Sequence, residues 1–213
     1  DRSVSRGLGD VYKRQDKLYL SDLSSFNKVL NQRNKLLKDI SFRPDLVDTL
    51  PVWDMQLLEY GTRIIRKRKE FVEELNEIIS EIHSRISGGR EHLVLKYEPN
   101  ITADLFADEL LRAQNRDLKL CQTTTGPHRD DMLFSVDDVD IRKFGSQGQQ
   151  RTSALSLKLS EIDLVRRSIH DTPVLLLDDV LSELDSNRQN YLLNSIHDIQ
   201  TIITCTGLDL SLI

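Results

Sequence analysis

Apolar residues recur at Leu57, Ile64, Phe71, Leu75, Ile78, Ile82 and Ile86, in steps of three, four and seven. That is the period of one helical face, and it predicts a long helix over 52–87 that Gly88 and Gly89 stop. At 1.5 Å per residue, about 35 residues would reach roughly 50 Å. Residues 16–38 also read as helix, ending in the basic string QRNKLLK, and Pro44 and Pro51 are expected to break the pattern over 41–51. The two helices suggest an antiparallel pair with partial coiled-coil character. A short strand is expected at 92–97 and a helix at 104–115. From Leu118 the texture changes. Strands are predicted at 118–124, 131–135 and 139–143, then a helix at 147–168, a strand at 173–178, a helix at 187–197 and a strand at 200–205. Alternating strands and helices imply a parallel sheet. The expected organisation is a helical lid or arm at 16–117 and an α/β core at 118–213.

Composition narrows the class. Of 213 residues, 38% are hydrophobic and 30% charged, which describes a globular chain. The formal net charge of -5 does not advertise nucleic-acid binding, so any DNA contact must come from a local basic patch. Arg63, Arg66, Lys67, Arg68 and Lys69 cluster in the long helix. They read either as a solvated face or as a phosphate-contacting patch on an arm. Cys121 and Cys205 lack metal or disulfide spacing and suit the reducing cytoplasm. No apolar run approaches the roughly 20 residues that span a bilayer. Residues 1–15 carry no apolar period, and their end, DVYKRQ, resembles a translated sequencing-adaptor scar. The segment is therefore set aside from fold reasoning.

The most informative stretch is Pro173–Asp185, PVLLLDDVLSELD. Val174 to Leu177 are consecutively apolar, as in a strand buried on both faces. The strand stops at Asp178 and Asp179. Ligands of open parallel sheets bind beyond the C-terminal strand ends, and a carboxylate pair there is costly without a cation or water. This is the layout of a Walker B element. The first carboxylate helps hold Mg²⁺, and the second orients or deprotonates the water that attacks a γ-phosphate. Upstream, FGSQGQQRT at Phe144–Thr152 places a Gly-containing turn at the start of an amphipathic helix, where free N–H groups and the helix dipole favour an anion. Ser146 and Gln149 could add side-chain hydrogen bonds. One helix separates this turn from the carboxylates, the order of signature motif and Walker B in ATP-binding cassettes.

SQGQQR followed by LLLDDVLSELD resembles the RecF family, as do GPHRDD at Gly126–Asp131 and NQRNKLLK at Asn31–Lys38. The resemblance runs from about residue 17 to the C-terminus. It implies an α/β fold, part of an ATP-binding-cassette head related to SMC proteins, with an inserted helical, coiled-coil-like lid. It further implies ATP and Mg²⁺ as cofactors and weak ATP hydrolysis at the interface of an ATP-dependent homodimer. Ser146, Gln147, Gly148 and Gln149 would act in trans on nucleotide held by the partner, Asp178 would serve Mg²⁺, and Asp179 would be the catalytic carboxylate. Ser182, Leu184 and Asp185 match the D-loop, and Thr204 is a candidate sensor where many cassettes carry a histidine. Arg63, Arg66 and Lys67 are candidate DNA contacts. Expected partners are single-stranded or gapped DNA and, by resemblance, RecO and RecR, in aid of recombinase loading, with no membrane.

The chain contains no G-x-x-x-x-G-K-[ST] loop. It therefore reads as a truncated product that would not hydrolyse ATP alone. Two rival readings remain. A cassette subunit of another system, a transporter or an SMC-like protein, would share the motifs, but the long basic arm argues against a transporter. A non-enzymatic helical scaffold would explain 16–117 but not the strand-end carboxylates. In GPHRDD, an ion-paired turn around Arg129 and a role for His128 and Arg129 in nucleotide sensing or DNA contact both stay open.

Overall fold

The computed structural model describes residues 17–169, 174–196 and 199–204. The scar-like segment 1–15 and the stretch from Cys205 onward lie outside the described residues. Two compact units emerge: residues up to Phe71 with Tyr97–Met132, and Val72–Lys96 with Leu133 onward. One division between them falls within the long helix.

In the first unit, α1 (Lys17–Ile40) packs on the first part of α2 (Leu50–Ser87). Their contacts pair early residues of one with late residues of the other: Tyr19 with Arg68, Asp22 with Arg63, and Arg33 with Asp54. The helices are therefore antiparallel, as expected. Tyr19, Phe26, Val29, Leu57, Ile64 and Phe106 share one buried cluster, and each such side chain contributes about 1.5–3 kcal/mol on burial. Gly61 lets the elements close up, since a Cβ there would stand 2.5 Å from Cε1 of Phe106. Pro51 does not break the chain. It is the second residue of α2, where its fixed φ suits a helix start and its missing N–H costs nothing.

The expected strand at 118–124 is absent. Helix α3 (Phe106–Leu120) runs on to a left-handed cap at Cys121. The reason is a buried polar cluster. Arg33, fully buried, donates from Nε to Asp54 at 2.6 Å and from Nη1 to Asp117 at 2.7 Å and to Thr123 Oγ1 at 2.8 Å. The amides of Thr123 and Thr124 are taken by Asn34 and Asp117 side chains, so they are lost to any ladder. Burial raises the Asp54 carboxyl above its ordinary value, with the Arg33 hydrogen bond opposing it.

Strands β1 (Leu93–Glu98), β2 (Asp131–Val136) and β3 (Val139–Asp140) form one sheet in that order. The strand expected at 139–143 stops at Asp140. Asp137 and Asp138 both have positive φ, making a tight two-residue hairpin, and Asp140 caps the one-turn helix α4 (Ile141–Phe144) by accepting from Arg142 N. In the second unit, α5 (Gln147–Ile169), β4 (Leu175–Asp178), α6 (Ser186–Ser195) and β5 (Thr201–Thr204) follow. Their core joins Ile86 to Leu155, Leu159, Ile162, Leu175, Leu177, Leu181, Leu184 and Leu192. Strand β4 is not buried on both faces. Leu175 and Leu177 join the buried core, but Val174 and Leu176 are 50% and 69% exposed, as alternating side chains are when one face of a strand is covered. No described helix is long and apolar enough to cross a membrane.

Candidate functional site

Parallel pairing of β4 with β5 sets Asp178 opposite Thr204. The Thr204 hydroxyl donates to Asp178 Oδ1 at 2.5 Å. The amide of Asp179 donates to Thr204 O at 2.9 Å and lies 3.2 Å from Thr204 Oγ1. Asp179 itself is left-handed, with φ 54°, a conformation Asp tolerates better than most residues. Its Oδ1 accepts from the Ser182 hydroxyl at 2.5 Å. Both carboxylates are exposed. The structure thus brings together Asp178, Asp179, Ser182 and Thr204, four residues singled out from sequence.

The following turn is anchored from both sides. Leu181 and Leu184 are buried, and Gln189 Nε2 donates to the carbonyls of both, at 2.8 and 3.1 Å. Asp185 caps α6 by accepting from Arg188 N at 3.0 Å. Among the described residues no group of three His, Cys, Asp or Glu could hold a metal. The Asp178 carboxylate, with the neighbouring Thr204 hydroxyl on one oxygen, fits Mg²⁺, which keeps several waters and takes further oxygens from phosphates.

The turn at Gly145–Gln149 opens α5 with a capping box. Gln149 N donates to Ser146 Oγ at 3.2 Å, and Ser146 N donates to Gln149 Oε1 at 3.0 Å. Ser146 and Gln149 thus satisfy each other's backbone amides. Ser146 and Gln147 are exposed, while Gly148 and Gln149 are half-buried. Gln150 Nε2 ties the turn to Ile141 O at 2.9 Å, and Thr152 Oγ1 donates to Gly148 O at 2.8 Å.

Sequence reasoning missed a chain of polar groups behind this turn. Arg188 reaches Asp185 at 3.3 Å and Glu91 at 3.6 Å, Glu91 lies 3.3 Å from His83 Nε2, and His83 Nδ1 lies 3.0 Å from Ser156 Oγ. Burial pushes the His83 ring below the ordinary His value, with Glu91 opposing. Only the Asp185–Arg188 spacing of three was legible beforehand; the rest is tertiary.

Arg63, Arg66, Lys67 and Arg68 of α2 each lie against an acid. Arg63 forks onto Asp22 at 2.8 and 2.9 Å and also reaches Glu59. Lys67 meets Glu70 at 3.2 Å, and Arg66 lies 3.9 Å from Asp104. In GPHRDD the ion pair of Asp130 is with Arg68, not Arg129, at 2.8 Å, and Asp130 also accepts from Tyr97 Oη at 2.5 Å. His128 Nε2 is bonded to Thr123 O at 3.1 Å, whereas Nδ1 is buried without a partner.

No protein-family model matches the chain. Curated relatives do. A protein of Agathobacter rectalis named "DNA replication and repair protein RecF" is 77% identical over 194 residues, 91% of this chain and 54% of its own length. A protein of the same name from Lachnospira eligens is 61% identical, with the same two shares. The chain therefore spans about half the length of the curated relatives it matches. Two solved structures, described as "recombination mediator protein RecF-ATPrS" and "RecF-ATP in RecFOR pathway", match with TM-scores of 0.84 and 0.85 at 37% and 36% identity. Each match covers 96% of this chain and 57% of the solved one.

Proposed function

We propose, from the premise that this chain belongs to the RecF family, that it supplies one half of an ATP site formed between two copies of a DNA replication and repair protein. The observation that carries this is the pair Asp178 and Asp179 at the end of β4, both tied to Thr204 on the neighbouring strand. In this reading Asp178 would hold Mg²⁺, which when bound would supply charge neutralisation at the phosphates. Asp179 orients the attacking water and touches the reacting atoms, with Ser182 fixing its carboxylate. The N–H groups of Ser146, Gln147, Gly148 and Gln149 face the γ-phosphate held by the other copy, and the Ser146–Gln149 capping box opens to admit it. Leu184 anchors and Asp185 ends the loop that crosses to the other copy, while Thr204 reports the state of the phosphate.

ATP-driven pairing would then close the protein on single-stranded or gapped DNA in the cytoplasm, with RecO and RecR as partners in recombinase loading. Arg66 and Lys67 are the better candidates for DNA phosphates. Their side chains are 64% and 47% exposed, and their acid partners are surface groups that an incoming phosphate can displace. Arg63 is committed to Asp22 by two bonds.

The test replaces the matched span of the Agathobacter rectalis relative with this chain. ATP-dependent dimerisation, followed by sedimentation, is expected in the exchanged protein and is lost in Ser146→Arg. Dimerisation that survives Ser146→Arg would sink the trans role of the turn.

A further inference from the structure

We propose that Arg188 is a positioning residue for the turn at Gly148, acting through that glycine from a bracket built by Glu91, His83 and Ser156. This rests on the reading of the turn as a nucleotide-contacting element.

The guanidinium lies directly against the turn. A Cβ on Gly148 would stand 3.0 Å from Arg188 Nη1 and 3.9 Å from its Cζ. A side chain there would make the guanidinium give by a few tenths of an ångström, so the two pack closely, and a shift of the guanidinium would be felt by the Gly148 backbone. The Arg188 side chain is only 18% exposed and is held from two directions: Nη1 by Asp185 at 3.3 Å and Nη2 by Glu91 at 3.6 Å. Asp185 is also the cap of the helix that carries Arg188, so the loop at 182–185 and the turn at 145–149 share one cation.

The second contact is on α5, further along from Gly148. Glu91 Oε2 faces the fully buried His83 at 3.3 Å, and His83 meets Ser156 at 3.0 Å. Ser156 and Gly148 both belong to α5, about 12 Å apart along its axis. Thr152, Ser156 and Ser160 are small and buried, which lets His83 approach the helix. Glu91 therefore stands beside both Arg188, at the first turn of α5, and His83, which meets Ser156 two turns later.

Two features indicate position and not bulk charge as the purpose. Arg188 stands between two carboxylates, so the cluster brings no net positive field to a phosphate. Its ion pairs are longer than the 2.7–2.9 Å of a charge-assisted hydrogen bond, and its Nε is buried without a partner. The guanidinium of Arg188 is held in place yet free to shift by fractions of an ångström when the turn takes up an anion.

The experiment uses the exchanged full-length relative described above, with Arg188→Gln and Glu91→Gln beside Ser146→Arg. Three quantities are read: nucleotide affinity of the monomer with a fluorescent ATP analogue, the concentration midpoint of ATP-dependent dimerisation, and the melting temperature. Arg188→Gln and Glu91→Gln are each expected to raise the dimerisation midpoint about tenfold while monomer affinity and melting stay near the parent values. If Arg188→Gln melts early, Glu91→Gln decides, because it keeps the guanidinium and the side-chain volume. The proposal is overturned if Ser146→Arg blocks dimerisation while both variants dimerise like the parent. It is equally overturned if both variants simply unfold, since the network is then a staple of the fold. Dimerisation that persists in Ser146→Arg strikes the underlying reading instead.

Discussion

The Thr204 hydroxyl donates to Asp178 Oδ1 at 2.5 Å, and the carbonyl of the same threonine accepts the amide of Asp179 at 2.9 Å. One residue on β5 thus holds the carboxylate of Asp178 and the backbone of Asp179. Thr204→Val keeps the shape and the backbone bond but removes the hydroxyl. At an exposed site this should cost no more than about 1 kcal/mol in urea unfolding. Hydrolysis by the exchanged full-length protein should fall far more, by about tenfold or greater, because Asp178 loses its fixed orientation. Equal small losses in both measurements would mean that Thr204 only decorates the strand end.

Asp179 offers a cleaner separation of fold from chemistry. Asn tolerates the left-handed conformation as well as Asp does and keeps an acceptor for the Ser182 hydroxyl. Asp179→Asn is therefore expected to unfold within about 0.5 kcal/mol of the parent while removing the turnover of the exchanged protein. Retained turnover would exclude Asp179 as the group that orients water.

Two arginines of the first unit should behave in opposite ways. Arg33 and Asp117 are both fully buried, whereas Arg63 is 45% exposed despite its fork onto Asp22. Arg33→Ala leaves a buried carboxylate unpaired and should cost about 3–5 kcal/mol. Arg63→Ala loses an interaction that water and salt already weaken and should cost less than about 1 kcal/mol. Denaturant midpoints of the two variants, taken at one salt concentration, check the order.

His128 gives a pH signature. Burial lowers its value, the bond from Nε2 to Thr123 O opposes this, and Nδ1 is buried without a partner. The folded protein thus favours the neutral ring, while the unfolded chain protonates near its ordinary value of about 6.5. In the window below that value the unfolded state binds more protons, so stability is complete above it and is lost as pH falls toward the depressed folded value. His128→Gln should flatten this acid slope in melting temperatures taken between about pH 7 and 5. An unchanged slope would assign it elsewhere, His83 being the other depressed ring.

The period of Leu57 to Ile86 and the apolar run into Asp178 were legible because each is local: a helical face and a strand end announce themselves within a few residues. The turn at Ser146 and Gln149 was legible as a Gly-Ser helix start, while its reciprocal capping box was not. What escaped was non-local. The Thr-rich run at 123–125 looks like strand until Arg33, distant in sequence, is seen to recruit Asp117 and Thr123. The Arg188–Glu91–His83 chain joins three elements, and no spacing announces it.

The apolar run of β4 carries the last prediction. Leu176 pairs in register with Ile202, and the two side chains are 69% and 55% exposed, with Val174 beside them at 50%. Adjacent exposed aliphatics on two paired strands make a sticky face, and β4 and β5 are the only members of their sheet among the described strands. The isolated chain should therefore self-associate in a concentration-dependent way. Leu176→Lys should reduce that association, seen by light scattering, at little cost in stability, because the leucine is already mostly in water. In the exchanged full-length protein the same substitution should instead destabilise, by about 2 kcal/mol or more, if the remainder of that protein covers this face. A lysine tolerated equally in both settings would mean that the face is solvent-exposed in the longer protein too.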